Sequence, residues 1–377
     1  MSGNKNAIFS PTGKGVPELD FQPSQFIDKT TVLFGPTRTG KTVLVKNIMR
    51  LVQHRIDQVL VIAPSEISNR SYEGFVEPSL IHYRLWLPDP NNPKKNNDTL
   101  LGGQRFLTAI WQRQTMMASI YTRVNNKTTL SSLYRRLSQN HRQEGDKYLS
   151  KIEKKRQRVI EDLKKITDMG YREEKHKEVD EKFTEMSILI YKRFVSLEVD
   201  ELWNMELTDD EKWALNYIHF NPRLLIVFDD CAAQLKPFFN KPEFRPLFYQ
   251  NRHAYISLII CCQDDTDLPT NLRKNAFVSI FTDPIICKTN FDRGSNMFPK
   301  QTKDYVKDIL DTIFVKYRKL VYIRDDPAKQ NFYHLCVGYP RQFKFGSEAL
   351  LSLCDYIRRD ETSMDTENPY WNSFCPD

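Results

Sequence analysis

Residues 35–42, GPTRTGKT, constrain the fold of this chain more than any other segment. They match the pattern G-x-x-x-x-G-K-[ST] in full, and they lie between a short apolar run, TVLFG, and a stretch whose apolar residues recur at helical spacing. A strand, a glycine-rich loop and a helix in this order form a phosphate-binding loop, or P-loop. The sequence therefore predicts a nucleoside triphosphate site at the start of the helix.

The residue types in this loop suit a triphosphate and its metal ion. Gly35 and Gly40 permit backbone angles that turn successive N–H groups inward, and the N-terminus of the following helix adds partial positive charge. We expect Lys41 to reach the β- and γ-phosphates of ATP and Thr42 to bind Mg²⁺. The other residues predicted to line the ATP site are Pro36, Thr37, Arg38, Thr39 and Val43. The similar segment PTGKG at 11–15 lacks a preceding strand, and we predict a loop there.

A second apolar run, LLIVFDD at 224–230, ends in two carboxylates and is typical of a Walker B strand. Asp229 is predicted to bind the Mg²⁺ shell, and Asp230 to polarise the attacking water. Glu is commoner than Asp at that second position. Gln263 ends the next apolar run, where its amide is a candidate γ-phosphate sensor. Arg252 and Arg273 flank the same run, and either is a candidate arginine finger for a neighbouring subunit.

The order of the apolar segments predicts the fold class. Strands at 31–35, 58–63, 224–230, 255–263 and 276–283 predict an α/β P-loop NTPase, RecA- or ASCE-like, with a mostly parallel sheet flanked by helices and a C-terminal β-hairpin. Proline is absent from about 104 to 216, which predicts a long helical insertion broken near Gly145 and Gly170. The predicted domains are an N-terminal arm at 1–28, two parts of the ATPase core at 29–103 and 217–345, the insertion at 104–216, and a C-terminal helix with an acidic tail at 346–377.

Charge and composition narrow the cellular context. The net charge is +7, yet residues 105–165 hold 15 Lys and Arg against 5 Asp and Glu. Such an excess is typical of a surface that binds a nucleic-acid phosphate backbone, and it is equally typical of a solvated helical face.

The seven cysteines show no zinc spacing and are predicted to be free thiols. No apolar run approaches the ~20 residues that span a bilayer, and no signal core is present, so we expect a cytosolic or nuclear protein.

Four segments carry a resemblance to a known family: GPTRTGKT at 35–42, LLIVFDDCAAQL at 224–235, NRHAYISLIICCQD at 251–264 and LPTNLRKNAFVSIF at 268–281. Together they resemble the FtsK–HerA superfamily of DNA-pumping ATPases, and most closely the genome-packaging ATPases of nucleocytoplasmic large DNA viruses. The resemblance implies an ATP-driven translocase that packages double-stranded DNA without sequence preference. It also implies that Gln263 is the sensor and that Arg252, ahead of Arg273, is the trans arginine finger.

The resemblance implies partners and a location as well. We expect a homo-oligomeric ring, a pentamer or hexamer, in the virion or in the host-cell cytoplasm. Capsid or inner membrane proteins of the virus are candidate partners. The helical insertion is longer than that of compact family members, so DNA-contact positions do not transfer to this chain.

Two alternatives stay open at this stage. The first is another P-loop enzyme, either a helicase or a small-molecule kinase, although no acceptor-site signature is present. The second is an ATP-gated scaffold with little turnover, which the aspartate at position 230 would favour. Stimulation of ATP turnover by duplex DNA separates these alternatives from a translocase.

Overall fold

The structure, a computed structural model, describes residues 6–89, 91, 98–326 and 330–360, with the backbone alone for 357–360. It divides into two compact units. The first, which we name the sheet unit, comprises Met1–Met116 and Pro222–Asp377; the second, the helical unit, comprises Met117–Asn221. The predicted acidic tail lies outside the described residues.

An eight-stranded sheet organises the sheet unit. The strands of the described residues are β1 (Ile8–Phe9), β2 (Gly15–Val16), β3 (Thr30–Phe34), β4 (Gln58–Ile62), β5 (Ile81–His82), β6 (Leu224–Phe228), β7 (Ile256–Cys262), β8 (Val278–Phe281), β9 (Lys319–Ile323) and β10 (Phe332–Leu335). The order across the sheet is β10-β9-β8-β3-β7-β6-β4-β5. The six strands from β8 to β5 are parallel, whereas β9 runs antiparallel to β8 and forms a hairpin with β10. The predicted α/β P-loop NTPase fold with a C-terminal hairpin is confirmed.

Helices cover this sheet and build the second unit. Those of the described residues are α1 (Lys41–Val52), α2 (Glu66–Asn69), α3 (Thr99–Val124), α4 (Lys127–Arg136), α5 (Gln139–Leu163), α6 (Met169–Leu197), α7 (Val199–Trp203), α8 (Asp209–Asn216), α9 (Ala232–Leu235), α10 (Arg245–Tyr249), α11 (Thr270–Asn275), α12 (Pro284–Asp292), α13 (Lys300–Ile313) and α14 (Glu348–Asp360). None of the helices in the described part of the chain is both long and apolar enough to cross a bilayer.

The central strands are continuous apolar runs because both faces of the sheet are covered. Every residue of β3, β6 and β7 is buried. On α1, the apolar residues that recur at helical spacing, Leu44, Ile48 and Val52 among them, are buried in the same core. The local pattern therefore fixes the strand, the loop and the helix of the P-loop, with bounds within one residue of those expected.

The N-terminal residues pack on the sheet unit. Strands β1 and β2 pair antiparallel, and residues 11–14 of the segment PTGKG form the turn between them, with Gly13 at a φ of 82°. The prediction of a loop is confirmed for residues 11–14, whereas Gly15 begins β2. Val16, Leu19 and Phe26, from the segment predicted to be an extended arm, are buried in the main core. Sequence pattern missed this packing because its apolar residues are isolated among polar ones.

Gly145 does not break a helix, and this prediction was wrong. It lies inside α5 and is buried. A Cβ at this position would lie 2.3 Å from the Tyr134 hydroxyl oxygen and 3.0 Å from a ring carbon of Phe194. The glycine therefore permits close packing of α5 against its neighbours in the helical unit. The break expected near Gly170 is real, because α5 ends at Leu163 and α6 begins at Met169.

Candidate nucleotide-binding site

The site lies at the carboxyl ends of the parallel strands, where α/β sheets bind ligands. The P-loop follows β3, the carboxylates Asp229 and Asp230 follow β6, and Gln263 follows β7. Because β7 lies between β3 and β6, these three strand ends meet at one edge of the sheet. A cavity of about 310 Å³ is lined by Thr37, Arg38, Gly40, Lys41, Thr42, Val43, Ser65, Glu66, Asn69, Ser71, Tyr72, Asp229, Asp230 and Gln263.

The P-loop backbone requires its glycines. Gly40, the N-cap of α1, has a φ of 86°, in the left-handed region that favours glycine. A Cβ on Gly35 would lie 1.8 Å from the Thr282 hydroxyl oxygen, so no larger residue fits there. Thr282 follows β8, and its hydroxyl also lies 2.6 Å from that of Thr39. The neighbouring strand thus closes the loop from one side.

Lys41 and Thr42 open the helix that follows the loop. The Lys41 ammonium donates hydrogen bonds to the carbonyl oxygens of Gly35 and Pro36, the latter at 2.9 Å. The Thr42 hydroxyl donates to Asp229 Oδ2 at 3.1 Å. The structure thus brings the lysine, the hydroxyl and the carboxylate predicted from sequence into one cavity. A hydroxyl and a carboxylate oxygen are the hard ligands that Mg²⁺ prefers, so this donor set fits the predicted ion.

Asp229 has a second partner that the sequence did not reveal. The Tyr72 hydroxyl donates to the same Oδ2 of Asp229 at 2.7 Å. Tyr72 is fully buried, and this burial, together with the adjacent carboxylate, raises the pKa of Tyr72 well above its ordinary value. The phenol therefore stays protonated and holds the carboxylate in place as a donor. No local motif marks Tyr72, because only the chain path after α2 brings it to the end of β6.

Glu66 is a buried carboxylate in the wall of the same cavity. Its two oxygens accept the backbone N–H groups of Ser71 and Tyr72, at 2.7 and 2.6 Å. Burial raises the pKa of Glu66, and these hydrogen bonds offset part of that rise. Glu66 thus organises the turn that delivers Tyr72. Its position just after a buried strand was the available signal, since the carboxyl ends of β4 and β6 are neighbours.

Asp230 and Gln263 contact each other. The Gln263 side-chain amide donates a hydrogen bond to Asp230 Oδ1. Both residues are exposed, and both line the cavity. Asp230 has a φ of 54°, a left-handed conformation that Asp tolerates better than most residues. Strained residues of this kind cluster at functional sites. The second carboxylate and the amide therefore form one polar pair beside Asp229.

The two candidate arginines lie in different surroundings. Arg252 is exposed just before β7, at the opposite end of that strand from Gln263, and its Nε donates to His253 Nε2 at 3.3 Å. The Arg273 side chain is only 6% exposed and lies 3.7 Å from the Asp265 carboxylate. Its guanidinium also donates to the Asp265 carbonyl and to the Thr270 hydroxyl. The Arg252 side chain is thus exposed at the surface, whereas the Arg273 side chain is held by contacts within its own chain.

Comparison with known proteins places the chain in a viral family. A protein of African swine fever virus (isolate Pig/Kenya/KEN-50/1950), named "Uncharacterized protein B354L", is 52% identical over 368 residues, which cover 98% of this chain and 99% of the relative. The protein of the same name from isolate Tick/Malawi/Lil 20-1/1983 matches with the same identity and coverage. This chain belongs to the B354L family. No protein-family model matches it.

Solved structures resemble this chain less closely than the African swine fever virus proteins do. The DNA-packaging ATPase B204 from Sulfolobus Turreted Icosahedral Virus is 15% identical and has a TM-score of 0.35, with 81% of this chain and 96% of that chain covered. The plasmid coupling protein TrwB is 13% identical with a TM-score of 0.32, and 93% of each chain is covered. These identities and TM-scores are too low to transfer an activity to the B354L family.

Proposed function

We propose that this B354L-family protein is a Mg²⁺-dependent ATPase that drives double-stranded DNA through a ring of identical subunits and packages a viral genome. The observation that carries the proposal is the hydrogen bond from Thr42 to Asp229 across the cavity that also holds Lys41. A P-loop hydroxyl and a Walker B carboxylate so placed are the ligand pair of Mg-nucleotide sites. The packaging role is supported by the four sequence segments and by the viral origin of the relatives.

Each residue of the site has a role in binding. The P-loop N–H groups and the start of α1 cradle the phosphates, and Lys41 leaves its two carbonyl partners to contact the β- and γ-phosphates. Thr42 and Asp229 hold Mg²⁺, which neutralises charge that develops on the phosphates when it is bound. Tyr72 keeps the Asp229 carboxylate oriented toward that position.

Hydrolysis depends on the polar pair beside the metal ligands. Asp230 orients and polarises the attacking water. Gln263 donates its amide hydrogen to Asp230, so the amide is placed to respond when the γ-phosphate leaves and the carboxylate shifts. Arg252 has no route to its own site, because it lies at the far end of β7. It serves the site of the next subunit, where a guanidinium stabilises the charge of the transition state.

The DNA contact is electrostatic in this proposal. Lys147, Lys151, Lys154, Lys155 and Arg158 are exposed along α5. Phosphate contacts carry no sequence information, which suits a motor that must package any genome segment. Capsid or inner membrane proteins of the virus are the further partners we propose, and the virion or the host-cell cytoplasm is the proposed location.

The decisive experiment measures ATP turnover with and without duplex DNA, together with ATP-driven displacement of a third strand from a DNA triplex. We expect DNA-stimulated turnover and displacement for the wild-type protein, and neither for Lys41→Ala. The matched control is Lys300→Ala, an exposed lysine at the start of α13. Turnover that survives in Lys41→Ala would refute the P-loop assignment.

The same measurements separate the alternatives. Turnover that DNA does not stimulate favours a small-molecule kinase. Stimulated turnover without triplex displacement, but with strand separation, favours a helicase. Tight ATP binding with negligible turnover favours the ATP-gated scaffold, which the aspartate at position 230 supports.

A further inference from the structure

If the proposed function is correct, the order of the strands indicates which end of the bound nucleotide faces which side of the P-loop. Strand β3 carries the P-loop, and β7 and β6 lie on one side of it, with β8 and β9 on the other. Asp229, Asp230 and Gln263 follow β6 and β7, so the γ-phosphate end of the triphosphate faces that side. On this arrangement, the α-phosphate and the nucleoside extend away from these strands, toward β8 and β9.

A buried lysine lies on that second side. Lys319 begins β9, and because β9 runs antiparallel to β8, its start lies at the carboxyl end of β8, where Leu320 pairs with Phe281. The Lys319 ammonium nitrogen lies 3.7 Å from the position that a Cβ on Gly40 would occupy. This distance places a second ammonium, in addition to that of Lys41, against the P-loop.

The environment of Lys319 is unusual for a charged group. The residue is 3% exposed, and its ammonium donates to the Tyr317 carbonyl oxygen at 2.9 Å. Among the described residues, no carboxylate forms an ion pair with it, and burial lowers the pKa of Lys319. A buried ammonium is costly unless an anion or several hydrogen bonds accompany it. A phosphate group held by the P-loop is the anion that this position fits.

The turn before Lys319 adds an aromatic ring. Lys316 and Tyr317 have φ values of 55° and 60°, so two consecutive residues with side chains adopt the left-handed conformation. Such strain persists only where surrounding contacts enforce it. The Tyr317 side chain is nevertheless exposed, with the residue 80% accessible. An exposed aromatic ring on a constrained turn next to a phosphate site is suited to stack on a nucleobase.

We propose that Lys319 and Tyr317 form the nucleoside side of the site, where the Lys319 ammonium binds the α-phosphate and the Tyr317 ring stacks on the base. Because every base has a π-face, stacking discriminates only weakly among bases. The preference that remains reflects how strongly each base stacks. The protein therefore prefers purine over pyrimidine nucleoside triphosphates and discriminates little between ATP and GTP.

Calorimetric titration of the full chain tests this proposal with three probes: Mg-ATPγS, Mg-ADP and magnesium tripolyphosphate. Tyr317→Ala should weaken both nucleotides by about tenfold or more, the range that base stacking supplies, and leave tripolyphosphate unchanged. Tyr317→Phe retains the ring and should restore nucleotide affinity. Lys319→Met should weaken all three probes by about tenfold, because it removes a charge-assisted contact to phosphate. The matched control is Tyr356→Ala, an exposed tyrosine on α14.

The outcomes separate this inference from the proposed function. If the wild-type protein binds no nucleotide, or if Lys41→Ala binds as well as wild type, the proposed function fails and the inference fails with it. If binding depends on Lys41 but Tyr317→Ala binds ATPγS as wild type does, the inference alone is refuted. Equal losses of ATPγS and tripolyphosphate in Tyr317→Ala would also refute it, because stacking cannot act on tripolyphosphate. Tyr317 is exposed, so its variants carry the test even if Lys319→Met fails to fold.

Discussion

At the scale of single residues, one carboxylate oxygen organises the candidate site. Asp229 Oδ2 accepts hydrogen bonds from Thr42 and from Tyr72, and Asp229 itself is buried. A buried carboxylate is costly unless donors surround it, so the two hydroxyl groups both stabilise the charge and fix its direction. If Asp229 binds Mg²⁺ as proposed, metal affinity and fold stability depend on the same atoms.

Replacing Tyr72 by Phe tests this link. The substitution keeps the ring and removes the donor to Asp229, which should lower the free energy of unfolding by about 1.5–3 kcal/mol, the value of a hydrogen bond to a charged group. It should also raise the Mg²⁺ concentration needed for half-maximal ATP turnover, since the carboxylate is less well held. Urea denaturation and a Mg²⁺ titration of turnover measure the two effects. Tyr148→Phe, which removes a hydrogen bond to Glu144 at the surface, is the control.

Asp230→Asn tests the proposed base. Asn tolerates the left-handed φ of 54° as well as Asp does, so the backbone should not change. Nucleotide binding should persist, whereas turnover should fall by roughly 10²–10⁴-fold, the usual contribution of a general base. A fluorescent nucleotide measures binding, and phosphate release measures turnover. Normal phosphate release by the variant would exclude Asp230 as the base.

At the scale of elements, glycine has different structural roles in the two units. Gly40 permits a left-handed backbone at the start of α1, whereas Gly145 permits close packing in the middle of α5. Both were visible in the sequence as glycines. Only the prediction for Gly145 was wrong. From local sequence, a glycine required for close packing inside a helix cannot be told from a glycine that ends a helix.

The packing role of Gly145 predicts an inverted effect of alanine. Alanine normally favours a helix over glycine, but at position 145 its Cβ would collide with Tyr134, so Gly145→Ala should destabilise by about 1–3 kcal/mol. Gly170→Ala is the matched control. The nearest atom to its added Cβ is an Asp168 oxygen at 3.6 Å, so it should be neutral or stabilising by up to about 1 kcal/mol. Thermal or urea unfolding of both variants decides whether packing or propensity prevails.

At the scale of the whole molecule, the site is proposed to be completed by a neighbouring subunit. Within one chain, Gln263 and Arg252 lie at opposite ends of the same strand, so a single subunit cannot use both in one site. An assembly in which the amino end of β7 faces the next P-loop resolves this geometry. The alternative second arginine, Arg273, is held by Asp265 and Thr270 and would have to leave a buried network.

Mixing two inactive variants tests the shared site. Lys41→Ala supplies an intact Arg252, and Arg252→Ala supplies an intact P-loop, so mixed assemblies contain some complete sites. ATP turnover of the mixture should recover to roughly a quarter of wild type if subunits assemble at random and each site uses one residue from each neighbour. Each variant alone should remain inactive. A mixture that is no more active than its components would argue against Arg252 as the trans residue.

The sequence by itself determined the parts of this protein that are contiguous along the chain. The P-loop, the acidic end of β6 and the buried strands follow from local pattern, because a strand, a glycine-rich loop and a helix must be adjacent to work. Asp229 could be placed beside Thr42 only because parallel strands share a carboxyl edge, and the structure bears out that inference.

Only the tertiary structure decided which distant residues join them. Tyr72 and Lys319 reach the cavity or the loop because of the strand order and the path of the connecting turns, neither of which leaves a local signature. Burial likewise separated Arg252 from Arg273, two arginines that look alike in the sequence. The physical reason is that burial and charge pairing are properties of what the fold places around a residue.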